Sequence, residues 1–104
     1  MKQFEIHLVK FDPAFGAEIK KSRPAVIISP DAINKNLQTV IIAPLTHTVK
    51  NYPSRVLSNF NNQPGEIALD QIRAVDKKRL LKKLGKIDST TARHICSVLQ
   101  TMFQ

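Results

Sequence analysis

The chain has 104 residues, of which 42% are hydrophobic and 23% charged, as is typical of one small globular domain and not of a disordered segment. Sixteen Lys and Arg residues against eight Asp and Glu residues give a net charge of +8, which points to a polyanionic partner such as nucleic acid or an acidic protein. The single cysteine excludes an internal disulfide and fits a cytoplasmic protein, and no apolar run approaches the roughly 20 residues that a membrane span requires.

The first half of the chain predicts three strands. Residues 4–8 (FEIHL) alternate apolar and polar side chains, which indicates a half-buried strand and not a signal peptide. After a basic loop at 14–23, residues 24–29 and 37–44 are rich in β-branched side chains and predict two central strands. The segment 30–36 (PDAINKN) predicts a short helical turn between them.

The second half predicts further strands and one helix. A short strand is expected at 55–57, one or two more within 66–76, and another at 80–87. Asp88 or Ser89 can cap a following helix. Its apolar positions repeat at helical spacing, namely Thr91, Ile95, Val98, Leu99 and Met102. Short strands at close intervals with one terminal helix predict a mainly β, mostly antiparallel barrel that forms a single domain over residues 1–104.

The chain shows no metal or cofactor signature. His7, His47, His94 and Cys96 have neither CxxC nor HExxH spacing, and no GxxxxGK[ST] or GxGxxG sequence is present. His94 and Cys96 are two residues apart on the predicted helix and so point in different directions, which predicts a helix-flank residue and a small buried thiol. His7 is expected to be exposed or at a rim. We therefore expect no cofactor.

The remaining candidates for a functional site are polar side chains near the ends of predicted strands. If strands 24–29 and 37–44 are antiparallel neighbours, Arg23 before the first lies near Thr46 after the second. A guanidinium and a hydroxyl that converge on one point can bind a phosphate or an oxyanion. Other polar groups are His47, Asp70, Gln71 and Arg73 at strand ends and Glu18 in the basic loop.

Three segments together resemble the MazF/PemK family of toxin endoribonucleases (mRNA interferases): "GAEIKKSRPAVIIS" at 16–29, "IIAPLTHT" at 41–48 and "LDQIRAVDKKRL" at 69–80. The resemblance covers nearly the whole chain. It implies a small SH3-like antiparallel β-barrel with a C-terminal helix (the CcdB/MazF-like fold) that acts as a homodimer without a cofactor. It also implies sequence-specific, metal-independent cleavage of single-stranded RNA to 2′,3′-cyclic phosphate and 5′-hydroxyl ends. An antitoxin with an acidic tail would cover the RNA groove.

The resemblance assigns catalytic roles to Arg23 and Thr46. Arg23 matches the family's Arg-Pro arginine and would stabilise the negative charge that builds on the phosphate oxygens. Thr46 matches the family's Pro-Leu-Thr threonine and would hydrogen-bond the phosphate or orient the 2′-oxygen.

The sequence does not decide which residues transfer protons in this reaction. Glu18 and Asp70 match acidic positions of the family, and His47 beside Thr46 is a further candidate. One branch of the family has histidine and arginine where this chain has Ala17 and Ala68, so that branch's acid–base residues do not carry over. Glu18 could instead pair with a neighbouring lysine, and Asp70 could accept backbone N–H bonds in a turn.

Further residues are expected to contact RNA. Tyr52 is the preferred residue for base stacking, among the loop aromatics Phe15, Tyr52 and Phe60. Candidates for binding RNA through polar or charged groups are Lys20, Lys21, Gln71 and Arg73. The basic stretch from Lys77 to Lys86 would attract RNA without reading its sequence.

Two other functions remain open on this fold. One is a non-enzymatic toxin that binds DNA gyrase, although such relatives use a C-terminal tryptophan and this chain has none. The other is an RNA-binding regulator that has lost catalysis, against which the presence of both Arg23 and Thr46 argues.

Overall fold

The computed structural model describes residues 1–11 and 22–104. The strands within these ranges are β1 Glu5–Lys10, β2 Ser22–Ile27, β3 Thr39–Thr46, β4 Arg55–Phe60, β5 Gln63–Ala68, β6 Arg73–Asp76 and β7 Leu80–Lys86. The helices are α1 Asp31–Asn36 and α2 Ser89–Met102, and short 3-10 turns follow β5 (Leu69–Gln71) and β6 (Lys77–Arg79). None of the helices in the described part of the chain is long and apolar enough to cross a membrane.

The strands form one curled antiparallel sheet in the order β4-β5-β3-β2-β1-β7. β3 is its centre, because one edge pairs with β2 while the other pairs with β6 over residues 39–42 and with β5 at Leu45 and Thr46. In the described residues β4 and β7 do not pair with each other, so the sheet is a half-barrel and not a closed barrel. The predicted mainly β fold with a terminal helix is confirmed.

Each face of the sheet carries its own apolar cluster. Alternate residues of β2 belong to different clusters, because Val26 faces one side of the sheet while Ala25 and Ile27 face the other. The first cluster lies under α2 and includes Ile6, Val26, Ala43, Leu45, Val56, Ile67, Leu69, Ile87 and Ile95. The second includes Val9, Ala25, Ile27, Val40, Ile42 and Val75. Because residues on both faces of β2 and β3 are buried, these strands read as continuous apolar runs in the sequence.

The hairpin between β4 and β5 is closed by two asparagines. Asn61 and Asn62 have φ angles of 53° and 61°, which gives the type I′ turn that matches the twist of a two-residue hairpin. β4 therefore runs as far as Phe60, whose ring packs partly buried against the first cluster. The prediction that Phe60 lies in a loop is wrong, because the turn begins only at the asparagine pair.

Helix α2 begins where the sequence predicts. The Asp88 carboxylate accepts the Thr91 backbone N–H at 3.2 Å and so caps the first turn. Ile95 is fully buried, whereas Cys96 is exposed. The predicted buried thiol is wrong, because a helix turns by about 100° per residue and Cys96 faces away from the sheet.

Several strand boundaries and the burial of His7 also differ from the sequence expectation. β2 begins two residues earlier than predicted because Ser22 pairs with Lys10, and β3 continues to Thr46 because it gains β5 as a partner. His7 is only 7% exposed and not at a rim, since it lies opposite the small Ala25 on the face of the second cluster.

Candidate active site

Arg23 and Thr46 lie at the same end of β2 and β3. The last pair between these strands is Ala25 with Pro44, and each candidate stands two residues further along its strand. Two residues are one full repeat of a strand, so both side chains share the face of Ala25 and Pro44. The assumption that the two strands are antiparallel neighbours is confirmed.

The two side chains offer complementary donors. Arg23 is exposed, and within residues 1–11 and 22–104 no carboxylate pairs with its guanidinium. Thr46 is half-buried, and its hydroxyl oxygen accepts the Thr48 backbone N–H at 3.1 Å. That contact uses the oxygen as an acceptor, so the hydroxyl hydrogen can still donate to an anion.

β5 approaches the end of β3 very closely at Gly65. A Cβ atom on Gly65 would lie 2.5 Å from the Thr46 carbonyl oxygen, which is shorter than any ordinary contact. His47 follows, exposed, with Nδ1 3.3 Å from the Pro64 carbonyl oxygen. Because a carbonyl can only accept, this contact places the proton on Nδ1 and leaves Nε2 as the acceptor of the neutral ring. The missing side chain at position 65 thus allows Thr46 and His47 to sit against β5.

A buried carboxylate lies beside Thr46, and the sequence analysis did not identify it. Glu66 is the β5 partner of Thr46 and is 1% exposed. It accepts the backbone N–H groups of Lys50 and Asn51, at 3.0 and 2.9 Å, and an N–H of Arg55 at 3.2 Å. The two backbone hydrogen bonds and the Arg55 contact lower the pKa of Glu66 although burial opposes them. Its only sequence signal is a charged residue between Gly65 and Ile67 in β5.

Asp70 is part of the same network. Arg55 contacts both of its carboxylate oxygens, with Nε at 2.7 Å from Oδ1 and Nη2 at 3.4 Å from Oδ2, and the Ser54 hydroxyl donates to Oδ1 at 2.9 Å. The Arg55 hydrogen bond lowers the pKa of Asp70, against the effect of burial. Asp70 is therefore an ionised partner of Arg55, and its oxygens are already engaged.

The predicted RNA-contacting residues are not all in one place. Tyr52 is 50% exposed, and its ring covers the Arg55 guanidinium at 5.2 Å. Gln71 is exposed in the 3-10 turn after β5. Arg73 pairs opposite Ile42, four residues before Thr46 and so about 13 Å away along β3. Its guanidinium lies 5.5 Å from the Phe11 ring. The predicted residues Glu18, Lys20 and Lys21 lie outside the described residues.

A second ionic cluster lies on β1. His7 Nε2 is 2.9 Å from a Glu5 carboxylate oxygen, and the Lys83 ammonium is 3.1 Å from the other. Burial alone would raise the pKa of Glu5, but hydrogen bonds from His7, the Lys2 backbone and Lys83 lower it to about 2. The described part of the chain holds no group of three or more His, Cys, Asp or Glu side chains placed to bind a metal.

Arg23 and Thr46 lie at one end of β2 and β3, and His47 follows Thr46 on the side of β5. These residues provide a permanent cation, a hydroxyl and an imidazole whose Nε2 can accept a proton. A guanidinium can bind two non-bridging oxygens of a phosphodiester at once, and the hydroxyl can donate to the same group. The imidazole can accept a proton from a nearby alcohol. Such a set suits cleavage of a phosphodiester that carries a neighbouring hydroxyl.

Comparison with known proteins points the same way. Residues 2–103 match the family model described as the PemK-like, MazF-like toxin of type II toxin–antitoxin systems. "Endoribonuclease MazF9" of Mycobacterium tuberculosis is 28% identical over 96% of this chain and 93% of its own length. "Probable endoribonuclease MazF5" of the same organism is 31% identical over 81% of this chain and 80% of its own length. The structure superposes on a crystal structure of MazE-MazF from Deinococcus radiodurans with a TM-score of 0.85, at 24% identity and with 99% and 95% of the two chains covered.

Proposed function

This chain belongs to the family of PemK-like, MazF-like toxins of type II toxin–antitoxin systems, and on that premise we propose that it is an endoribonuclease. Its substrate is single-stranded RNA, cut at a specific sequence and without a metal ion. The observation that carries the proposal is the placement of Arg23 and Thr46 at one end of paired strands, both on the same face. The relatives named as endoribonucleases and the charge of +8 support it.

In the proposed reaction the 2′-oxygen of a ribose attacks the adjacent phosphorus. The bond from phosphorus to the 5′-oxygen breaks, which leaves a 2′,3′-cyclic phosphate and a 5′-hydroxyl. Negative charge builds on the non-bridging oxygens, and Arg23 stabilises it through two parallel N–H donors. Thr46 donates its hydroxyl hydrogen to the same phosphate. Neither contribution needs a metal ion.

One group must take the 2′-proton and another must protonate the departing 5′-oxygen. We assign His47 as the preferred base, because its Nε2 is the acceptor of the neutral ring and it directly follows Thr46. Glu18 remains the candidate for the acid. Asp70 is a weaker candidate, because Arg55 and Ser54 occupy its oxygens and its lowered pKa makes it a poor acid near neutral pH.

The proposed partners follow from the family and from charge. An antitoxin binds the toxin in this type of system, and an acidic segment of it would compete with RNA for the same basic surface. We also propose that the chain acts as a homodimer in the cytoplasm. The exposed lysines of β7, Lys82, Lys83 and Lys86, add nonspecific attraction for phosphates.

The test is cleavage of a long single-stranded RNA by the purified protein in EDTA, with the cut ends mapped. Discrete cuts that leave 2′,3′-cyclic phosphate ends are expected. Intact RNA that is bound tightly would instead support a regulator without catalysis. Intact RNA together with inhibition of DNA gyrase would support the non-enzymatic toxin.

A further inference from the structure

Glu66 joins the end of β3 to the loop that follows it. It pairs with Thr46 on one side and with Leu57 on the other, in a row across β3, β5 and β4. Residues opposite each other in antiparallel strands face the same side, so the Glu66 side chain shares the face of Thr46. A carboxylate that is 1% exposed must have strong partners to remain ionised.

Two of those partners are backbone amides of one loop. Residues 47–54 connect β3 to β4, and the carboxylate oxygens of Glu66 accept the N–H groups of Lys50 and Asn51, one each. Asn51 has a φ angle of 57°, a left-handed conformation that few side chains adopt readily. The carboxylate therefore fixes the backbone of the loop at Lys50 and Asn51.

On each side of Lys50 and Asn51, the loop contacts a group that is proposed to bind RNA. On the N-terminal side, the Thr48 N–H donates to the Thr46 hydroxyl oxygen, so the loop conformation sets the orientation of that hydroxyl. On the C-terminal side, Tyr52 accepts the Arg55 N–H through its carbonyl at 3.0 Å. The Tyr52 ring also covers the Arg55 guanidinium.

Arg55 reduces the repulsion that the Glu66 carboxylate would exert on a phosphate bound nearby. An unpaired negative charge in the row next to Thr46 would repel the phosphodiester that Arg23 and Thr46 are proposed to bind. Arg55 contacts both Glu66 and Asp70 and is itself 7% exposed in its side chain. Arg55 offsets part of the negative charge of these two carboxylates, and the N–H groups of Lys50 and Asn51 stabilise Glu66 further.

We propose that Glu66 is a positioning residue for RNA cleavage, which holds loop 47–54 so that the Thr46 hydroxyl and the Tyr52 ring are preset for one RNA strand. The inference rests on the proposed function. Glu66 itself does not touch the RNA.

The test uses Glu66→Gln, which keeps the shape of the side chain but replaces one acceptor oxygen with an NH2 group that faces a backbone N–H. Tyr52 is the chain's single tyrosine and there is no tryptophan, so tyrosine fluorescence reports on this loop alone. Acrylamide is expected to quench Tyr52 more strongly in the variant. The kcat/KM for RNA is expected to fall by about 10²-fold, as for other small losses of positioning. Both kcat and KM should change, because the loop presets the Thr46 hydroxyl as well as the Tyr52 ring.

The matched control is Glu5→Gln, the same substitution at another mostly buried carboxylate that is bonded to a backbone N–H, to His7 and to Lys83. It should change neither the quenching of Tyr52 nor kcat/KM. If Glu66→Gln does not fold, Glu66→Asp keeps the charge for Arg55 but is one methylene shorter, and the same increase in quenching is expected.

Unchanged quenching or unchanged kinetics in the folded Glu66 variant would overturn the inference, as would equal losses in the Glu5 control. The quenching measurement needs no RNA. Absence of cleavage by the unmodified protein would therefore count against the proposed function, while the quenching data would still test the loop contacts separately.

Discussion

Arg23 and Thr46 lie at the same end of two neighbouring strands, each two residues beyond the pair formed by Ala25 and Pro44. Regular β2–β3 pairing ends before them. The Arg23 guanidinium is exposed, and the Thr46 hydroxyl, which accepts the Thr48 N–H, can still donate its hydrogen to a ligand. The arrangement needs only the register of two strands, and that register is set by apolar side chains that are buried on both faces.

Two substitutions of Arg23 distinguish the effect of its positive charge from the effect of its planar pair of N–H donors. Arg23→Ala is expected to stay folded, because an exposed arginine at a strand end buries little, and to lose about 10²–10³-fold in the cleavage rate. Arg23→Lys keeps the charge but not the planar pair of donors, so it should recover only part of the rate. Single-turnover cleavage measures both. Full activity of Arg23→Ala would remove Arg23 from the site.

The Thr46 hydroxyl is tested by two substitutions of nearly the same shape. Thr46→Val removes the donor and also the acceptor of the Thr48 N–H, so cleavage should fall by about 10²-fold or more. Thr46→Ser keeps the hydroxyl and should retain most of the activity. The melting temperature of each variant provides the control for folding. Equal cleavage by the Val and Ser variants would show that the hydroxyl has no role.

Gly65 allows β5 to approach the end of β3. Gly65→Ala is expected to destabilise the protein by about 1–3 kcal/mol, because the new Cβ would meet the Thr46 backbone oxygen. Gly85→Ala is the matched control, since a Cβ at that position meets nothing within 4 Å. Urea unfolding of both variants measures the difference. Equal stability would mean that β5 can move away from Thr46 at no cost.

Much of the fold could be predicted because it follows from local patterns. The β-branched runs gave the central strands, and Asp88 marked the start of α2. His7 was harder, because alternation in one strand does not show that a small residue such as Ala25 lies opposite and leaves room for a buried imidazole.

The site could be predicted only in part. The pairing that puts Arg23 and Thr46 at one end of the sheet could be predicted, because strand ends can be read from a sequence. Their catalytic roles come from the family resemblance and stay predictions. Glu66 was missed because its partners, the N–H groups of Lys50 and Asn51, are backbone atoms that carry no signal in the sequence. The ion pairs of Arg55 with Glu66 and Asp70 span 11 and 15 residues, which no local pattern records.

Glu5 should contribute to stability in a pH-dependent way. Its pKa is lowered from 4.5 to about 2 in the folded protein, so its contribution is present above about pH 4.5 and is lost as the pH falls through 2. The stability difference between the unmodified protein and Glu5→Gln should therefore shrink as the pH falls from about 4.5 towards 2. Urea unfolding at several pH values measures it. A difference that stays constant down to pH 2.5 would contradict the proposed contacts.

Tyr52 offers a free ring face for stacking on an RNA base. One side of the ring covers Arg55, and the side chain is half exposed, so Tyr52→Ala should weaken RNA binding by about 1–3 kcal/mol while Tyr52→Phe keeps most of it. Binding is measured with an RNA that carries a 2′-O-methyl group at the cleavage position, because this RNA cannot be cut. Phe103→Ala is the matched control, since Phe103 is an aromatic residue 70% exposed at the end of α2. If both alanine variants weaken binding equally, the effect comes from general loss of apolar surface and Tyr52 is not a stacking platform.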